Sequence, residues 1–275
     1  MIKTVAIQGI KGSFHHIVSQ QYFDESVEVI ECLTFDEVIY SLISKQADAV
    51  IMALENSIAG SIIPNYALID ESKLHIVGEH YLDIQHNLMA LQNQSIQDIE
   101  EVFSHPMALL QCKTFFKKYP HIKLIEDKDT AEVAKRIHDH KLKGIGAIAS
   151  TFAARIYDLE ILAHGIQTIT HNETRFVIVK RQNHEIPKYE INKASLKFEL
   201  DHKRGSLATI LNVMSDCKLN LTKIQSLPKI DTPWKYAFFV DVTFETYNDY
   251  EKAKSIMDIM AQEFKVLGEY KKARQ

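Results

Sequence analysis

Along the first 60 residues, short apolar runs alternate with helical stripes of apolar residues. The runs Lys3–Gln8 and Ala47–Leu54 are typical of buried strands, and a helix is predicted over Ser13–Phe23. Thr34 and Glu37 form a capping-box pair in front of a second amphipathic helix. Strand, helix and strand in this order indicate a parallel α/β sheet.

The same order returns in the middle of the chain. Asp129 and Glu132 make another capping pair, and a helix, an apolar strand and a polar tip follow. The segment Asp129–Ser150 therefore repeats the pattern of Thr34–Ser57, which predicts two similar α/β lobes. Ser104 is expected to cap the helix that begins at the next residues. A cleft between two such lobes would receive the carboxyl ends of strands and the amino ends of helices.

The pattern changes near the carboxyl end of the chain. The stretch Gln182–Lys193 is polar and contains Pro187, so it is interpreted as a linker. The remaining residues read as strand, helix, strand, strand, helix and strand, the ferredoxin-like arrangement. We therefore predict an α/β protein with a two-lobed domain like that of periplasmic binding proteins and a ferredoxin-like α+β domain. The expected bounds are 1–182 for the first domain, with lobes at about 1–80 plus 174–182 and at 81–173, and 194–272 for the second.

Composition narrows the class of protein. The chain has 275 residues, of which 46% are hydrophobic and 25% charged, as in ordinary soluble domains. A net charge of -4 argues against a nucleic-acid partner. The three cysteines are far apart, as expected for reduced thiols in the cytoplasm. Neither a signal peptide nor an apolar stretch near the roughly 20 residues that span a bilayer is recognisable, so we expect a cytoplasmic protein without a membrane partner.

Polar tips mark the candidate chemistry. Free backbone N–H groups and the positive end of a helix dipole favour binding of carboxylates at such tips. Arg175 could offer a bidentate fork to a carboxylate, although composition alone favours a solvated arginine at the start of a strand. Taken singly, each tip is also explained as a turn or a helix cap. The tips are Gly9–His16, Glu55–Gly60, Ser104–Cys112, Ser150–Ala154 and Asn172–Phe176.

Together these tips resemble the ordered motifs of prephenate dehydratases, over residues 3–181. Thr-Arg-Phe before an apolar strand, with Glu-Asn-Ser upstream, is a specific combination. Ser13 stands where the family has Thr, His15 where it has Ser, and Met107 where it has Gln. The matching motifs are Gly9-x-x-Gly12-Ser13-Phe14, Glu55-Asn56-Ser57-x-x-Gly60, Ser104-His105-Pro106 with Gln111-Cys112, Ala147-Ile148-Ala149-Ser150 and Thr174-Arg175-Phe176.

The resemblance implies an enzyme that aromatises prephenate to phenylpyruvate by loss of CO₂ and the ring hydroxyl. It implies that Thr174 hydrogen-bonds the departing hydroxyl, that Arg175 anchors a carboxylate or holds the cleft wall, and that Phe176 shapes the apolar side of the cavity. It also assigns substrate binding to Ser13, Glu55, Asn56, Ser57 and His105. Arogenate is the alternative substrate, and a non-catalytic two-lobed binding module is the alternative without turnover.

No cofactor and no metal are expected. A Rossmann dinucleotide fingerprint and a P-loop are both missing from the sequence. The His-x-His pair at positions 138 and 140 lacks neighbouring residues that would complete a metal site.

The tail resembles an ACT domain, the usual regulatory partner in this family. Gly205-Ser206-Leu207-Ala208 is similar to its Gly-Ala-Leu-Val motif, and Gln225-Ser226-Leu227-Pro228 to Glu-Ser-Arg-Pro. The resemblance implies an L-phenylalanine effector bound where two copies meet, and hence a homodimer or homotetramer. Gln225 and Leu227 replace two charged residues of the sensing motif. The implied effector residues are Gly205, Ser206, Leu207, Ala208, Asn220, Leu221, Gln225 and Ser226.

Overall fold

The computed structural model describes residues 2–23, 26–183, 186–201, 203–229 and 235–274. Among them, the strands are β1 (Thr4–Gln8), β2 (Glu28–Cys32), β3 (Ala49–Asn56), β4 (Gly60–Ser61), β5 (His75–Asp83), β6 (Asn87–Ala90), β7 (Glu101–Ser104), β8 (Lys123–Glu126), β9 (Ile145–Ala149), β10 (Glu160–Ala163), β11 (Glu173–Lys180), β12 (Lys193–Glu199), β13 (Asn220–Pro228), β14 (Tyr236–Thr243) and β15 (Glu263–Tyr270). The α-helices are α1 (Phe14–Phe23), α2 (Phe35–Ile43), α3 (Ile63–Glu71), α4 (Pro106–Phe116), α5 (Thr130–His140), α6 (Thr151–Ile156), α7 (Ser206–Asp216) and α8 (Tyr247–Met260). None of the described helices is long and apolar enough to cross a bilayer.

The chain divides into two units that interleave along the sequence. One unit contains Met1–Gly60 and His80–Phe176, and the other contains Ser61–Glu79 and Val177–Gln275. The division falls within β4, β5 and β11, so it differs from the domain bounds expected at 182 and 194, which stay a prediction.

The first sheet has the strand order β2-β1-β3-β11-β5, with β4 paired to β3. β1 runs parallel to β2 and to β3, as the alternation of strand and helix predicts. Its central residues Val5, Ala6 and Ile7 are fully buried, which explains the continuous apolar run. Thr34 caps α2 by accepting a hydrogen bond from the Glu37 N–H, so the predicted cap is confirmed. The reciprocal bond of a capping box is replaced, because Glu37 Oε2 accepts from the Leu33 N–H at 2.7 Å and not from Thr34.

The second sheet has the order β10-β6-β9-β7-β8 and is mixed. β7 is parallel to β8 and to β9, whereas β6 is antiparallel to β9 and to β10. α5 covers this sheet with Val133, Ala134 and Ile137, all fully buried. The predicted cap, helix and strand of this region are therefore confirmed, whereas hydrophobic periodicity does not indicate the two antiparallel pairings of β6.

The expectation that Ser104 caps α4 is wrong. Ser104 is the last residue of β7, where its hydroxyl donates to the carbonyl oxygen of Ile148 at 2.7 Å. The cap is His105, whose Nδ1 accepts from the Met107 N–H at 3.2 Å. The strand runs one residue further than the cap interpretation allows, so the hydroxyl serves the sheet.

The carboxyl-terminal sheet has the order β13-β14-β12-β15, with neighbouring strands antiparallel. One face packs on α7 and α8 through a core that includes Leu196, Phe198 and Met257. The predicted ferredoxin-like sequence of elements is confirmed. The preceding linker prediction covers His184 and Glu185, which lie outside the described residues.

The other face of this sheet is polar but buried, and the segment Ser61–Glu79 packs on it within the same unit. Lys193 Nζ lies 2.7 Å from Glu79 Oε2, with side chains 5% and 1% exposed. Lys197 Nζ makes a similar contact, 2.7 Å to Asp70 Oδ2. Buried charges are tolerated when they are paired in this way.

Candidate functional site

The Glu-Asn-Ser and Thr-Arg-Phe motifs meet where β3 ends and β11 begins. The Ser57 N–H donates to the Glu173 carbonyl oxygen at 2.8 Å, and the Glu173 N–H donates to Ser57 Oγ at 2.9 Å. This reciprocal pair fixes the two strand ends against each other. Two tips that are more than 100 residues apart in sequence therefore form one site.

The Asn56 side chain organises this site. Its Oδ1 accepts from the N–H groups of Ile58 at 3.0 Å and Ala59 at 2.8 Å. Its Nδ2 must then carry the donors, and it donates to Thr174 Oγ1 at 2.9 Å. Because the Thr174 oxygen accepts this bond, the hydroxyl proton remains available for a ligand.

The Asn56 amide is also the first group in a chain of hydrogen-bonded polar side chains, whose other members have no role predicted from the sequence. Asn56 Nδ2 donates to Asn172 Oδ1 at 2.8 Å, and Asn172 Nδ2 donates to Gln111 Oε1 at 2.8 Å. Asn172 is fully buried and starts the tip that carries Thr174, which is the only signal in sequence for it. Gln111 lies within a matched motif, on α4, whereas a single histidine such as His86 carries no recognisable signal.

Arg175 and Phe176 occupy different faces of β11. Side chains alternate along a strand, so Thr174 and Phe176 share one face and Arg175 projects from the other. Arg175 and Phe176 are 3% and 1% exposed, so both are part of the packed interior. This geometry favours a wall-holding role for Arg175 over direct contact with the ligand that Thr174 would meet.

His15 lies against Phe176. The ring centroids of His15 and Phe176 are 4.9 Å apart at 86°, and the Phe35 ring also packs on His15, with centroids 5.7 Å apart. Burial lowers the pKa of His15 from 6.5 to about 3. This residue, a departure from the family motif, is therefore a neutral packing residue.

The other predicted binding residues sit at helix starts or strand ends. Ser13 is 3% exposed, and its Oγ accepts from the His16 N–H at 3.3 Å, while His105 caps α4. Glu55 is half-buried beside Asn56 in β3. The substrate contacts predicted for Ser13, Glu55 and His105 stay predictions.

The starts of α1 and α6 also meet. Ser150 Oγ donates to the Gly12 carbonyl oxygen at 2.8 Å, and Gly12 has φ +92°, with space for no more than a glycine beside Ala153. A cavity of about 420 Å³ opens beside these helix starts and is lined by Phe14, Gln85, Ser150, Thr151, Phe152 and Arg155, among others. An arginine and hydroxyl groups at helix starts suit a small carboxylic acid.

The predicted effector residues lie on two elements of the ferredoxin-like domain. Gly205, with φ +85°, precedes α7, and Ala208 is exposed in its first turn. Ser206 and Leu207 line a cavity of about 160 Å³ together with Phe238 and others. The other four belong to β13, namely Asn220, Leu221, Gln225 and Ser226. Ser226 is the register partner of Phe238, which brings β13 beside this cavity.

No three His, Cys, Asp or Glu side chains are grouped to hold a metal ion in the part of the chain that the structure describes. The expectation of no metal stays a prediction.

The two α/β sheets and the ferredoxin-like carboxyl-terminal sheet define a two-lobed α/β protein, and the Thr174 hydroxyl is held by the Asn56 amide where β3 and β11 meet. The sequence model described as prephenate dehydratase matches residues 5–184. The chain belongs to the prephenate dehydratase family.

Curated relatives agree with this family. The bifunctional chorismate mutase/prephenate dehydratase of Buchnera aphidicola (subsp. Acyrthosiphon pisum) is 32% identical over 85% of this chain, which spans only 62% of that protein. The Aquifex aeolicus protein of the same description is 34% identical, with 98% of this chain and 74% of that protein covered. Arogenate dehydratase 2 of Petunia hybrida is 38% identical, with 82% and 56% covered.

Solved structures confirm the predicted fold class. The prephenate dehydratase of Arthrobacter aurescens in complex with L-Phe has a TM-score of 0.87 at 22% identity, with 98% of this chain and 90% of that chain covered. A structure titled GqqA, a novel type of quorum quenching acylases, has a TM-score of 0.89 at 25% identity, with 98% of both chains covered.

Proposed function

We propose that this protein is a prephenate dehydratase, a carbon–oxygen hydro-lyase that converts prephenate to phenylpyruvate. The observation that carries the proposal is the Asn56–Thr174 hydrogen bond at 2.9 Å, in a chain of this family. We include in it a catalytic domain over 1–182, a regulatory domain over 194–272 and a cytoplasmic location.

The reaction follows from the state of the Thr174 hydroxyl. The carboxylate on the ring leaves as CO₂, and the electrons of its C–C bond form the aromatic system as the ring C–O bond breaks. The departing hydroxide accepts a hydrogen bond from the Thr174 hydroxyl and leaves as water with the proton of Thr174, which regains one from solvent. Because an alcohol is a weak acid, its effect is to stabilise negative charge as that charge develops, which raises kcat.

Thr174→Ala tests the catalytic assignment. We expect kcat to fall by about 10²–10³-fold with a nearly unchanged KM, since the lost interaction forms mainly in the transition state. Formation of phenylpyruvate is followed by its absorbance, and the melting temperature reports folding. The control is Thr114→Ala at an exposed position of α4, for which both readouts should equal those of the wild type.

Arogenate is the second candidate substrate, because the Petunia arogenate dehydratase is 38% identical over 82% of this chain. We expect kcat/KM for prephenate to exceed that for arogenate, and the reverse order would assign arogenate dehydration. Tight binding of prephenate without turnover would instead favour the non-catalytic module.

An acylase is the third candidate, because the structure titled as such is similar over 98% of both chains. The described partner of Thr174 Oγ1 is an amide donor, whereas a nucleophilic hydroxyl needs an adjacent base. We therefore expect no hydrolysis of an N-acyl amide by the same preparation. Hydrolysis that is lost in Thr174→Ala would reverse this choice.

We further propose that L-phenylalanine is the effector and that the protein is a homodimer or homotetramer. Support comes from the cavity beside Ser206 and Leu207 and from the L-Phe complex of the Arthrobacter relative. We expect saturating phenylalanine to lower prephenate turnover and to raise the melting temperature. At a hundredfold excess over Kd, binding adds about 2.7 kcal/mol to the free energy of unfolding.

Ser206→Trp, which fills the cavity, should abolish both responses to phenylalanine and leave the basal kcat unchanged. A matched substitution at an exposed serine of α8, Ser255→Trp, should leave both responses intact. Unaltered activity and melting temperature with phenylalanine would contradict the proposal.

A further inference from the structure

His86 is a buried histidine with only one of its ring nitrogens in use. It directly precedes β6, is 4% exposed, and lies edge-on to Phe14 with centroids 5.8 Å apart. Its Nε2 is 2.9 Å from Gln111 Oε1. Its Nδ1 is buried and has no hydrogen-bond partner within the described ranges. Burying a polar atom without a hydrogen bond lowers the stability of the folded protein, so such an atom calls for a functional explanation.

The direction of the His86–Gln111 hydrogen bond can be deduced from the other end of the polar chain. Two backbone N–H groups, of Ile58 and Ala59, fix Asn56 Oδ1 as an acceptor and hence Nδ2 as the donor. The Asn172 atom that faces Asn56 must then be Oδ1, which turns its Nδ2 toward Gln111.

The same reasoning shows which ring nitrogen of His86 carries the proton. The Gln111 atom that meets Asn172 Nδ2 must be Oε1, and this oxygen also meets the imidazole. His86 can contact it only as a donor, so the proton is on Nε2. Nδ1 is then a buried, unprotonated nitrogen, and burial lowers the pKa of His86 in agreement with a neutral ring.

We propose that His86 is a positioning residue for Thr174, acting through Gln111, Asn172 and Asn56. Its Nε2–H holds Gln111 Oε1 against Asn172, and Asn172 holds the Asn56 amide group that keeps Thr174 Oγ1 an acceptor. The inference rests on the proposed dehydratase function. In this proposal, the unfavourable burial of Nδ1 without a partner is offset by the positioning of the Thr174 hydroxyl, which donates its proton to the substrate.

Three substitutions separate the hydrogen bond from the volume of the ring. His86→Gln can place an amide donor near the position of Nε2, whereas His86→Asn reaches only the position of Nδ1 and His86→Leu has no donor. We expect kcat on prephenate to stay within about threefold for His86→Gln and to fall at least about tenfold for the other two, with KM nearly unchanged. Equal losses in all three variants, or no loss in His86→Leu, would overturn the proposal.

A double mutant tests the route. If His86 acts through Gln111, adding Gln111→Leu to His86→Leu should lower kcat little beyond the larger single effect, because coupled residues are not additive. Losses that multiply would overturn the route through Gln111.

Two spectroscopic measurements test the proposal without an activity assay, and the first needs only the wild-type protein. The ¹⁵N shifts of the wild-type His86 ring should report a neutral Nε2–H tautomer at pH 7, and an Nδ1–H tautomer or a cation would overturn the proposal. The Thr174 χ1 rotamer, from methyl three-bond couplings, should be single in the wild type and in His86→Gln and averaged in His86→Leu. If the wild type does not convert prephenate, the proposed function fails, and these two readouts still decide whether His86 positions Thr174.

Discussion

Thr174 Oγ1 accepts a hydrogen bond from Asn56 Nδ2, which leaves the hydroxyl proton to be donated to a ligand. Asn56 donates this bond because two backbone N–H groups prevent its amide from turning over. The geometry is set before a ligand arrives, which is how preorganised donors stabilise developing charge. One asparagine therefore occupies a lone pair of the Thr174 oxygen and leaves the hydroxyl to act as a donor.

His15→Leu tests a second residue-scale consequence of burial. The folded-state pKa of about 3 lies below the ordinary 6.5, so between these values the unfolded chain binds more protons than the folded protein. Stability from a neutral His15 is complete above pH 6.5 and is lost as the pH falls toward 3, by about 1.4 kcal/mol per pH unit. Urea unfolding at pH 7 and pH 5 should therefore show a smaller acid loss in His15→Leu than in the wild type. His140→Gln, at an exposed position, should keep the loss of the wild type, and an equal loss in His15→Leu would contradict the argument.

At the scale of elements, the segment Ser61–Glu79 completes the carboxyl-terminal sheet. The polar row of β12 would remain hydrated without it, but Glu79 and Asp70 pair with Lys193 and Lys197. Gly268 of β15 allows the close approach, since a Cβ there would lie only 2.1 Å from the Ile76 carbonyl oxygen. The Cβ would meet backbone atoms of Ile76, so the clash could not be relieved by the rotation of a side chain.

Gly268→Ala should consequently be severely destabilising, by roughly 3–5 kcal/mol, because strand β15 or the Ile76 backbone must shift. The matched control is Gly205→Ala, which meets no atom within 4 Å but has φ +85°, and should cost about 1–2 kcal/mol. Denaturant unfolding of both variants measures the difference. A smaller effect for Gly268→Ala than for Gly205→Ala would contradict this reading of the contact.

At the scale of the whole molecule, the two units do not follow each other along the chain. Ser61–Glu79, from the first third of the sequence, belongs to the unit that contains Val177–Gln275. Tyr66 packs on Phe239 with ring centroids 5.5 Å apart, across more than 170 residues of sequence. Contacts between such distant residues raise the entropic cost of folding and make it slow.

A chain ending at residue 182 tests this interleaving. It would remove Lys193 from Glu79 and Phe239 from Tyr66, and apolar surface that this packing buries, such as the Tyr66 ring, would face water. We expect a lower melting temperature and increased binding of an apolar dye compared with the full chain. Residues 183–275 supplied as a separate polypeptide should reverse both changes. A fragment as stable as the full chain would instead support an independent domain over 1–182.

The sequence by itself determined the elements whose signals are local. Caps at Thr34 and Asp129 and the apolar runs of β1 and β9 depend on neighbours within a few residues, so periodicity and capping chemistry identify them. The matched motifs likewise located Asn56 and Thr174 as a candidate site. The Ser104 cap was wrong because a one-residue extension of β7 changes the partner of its hydroxyl.

Only the tertiary structure decided which polar groups meet. The bonds from Asn56 to Asn172 and from His86 to Gln111 join residues 116 and 25 positions apart. The packing of Ser61–Glu79 on a polar sheet face could not be predicted from an apolar stripe in the sequence. The physical reason is that a hydrogen bond or an ion pair needs a partner at about 3 Å, and that distance exists only after the chain has closed its long loops.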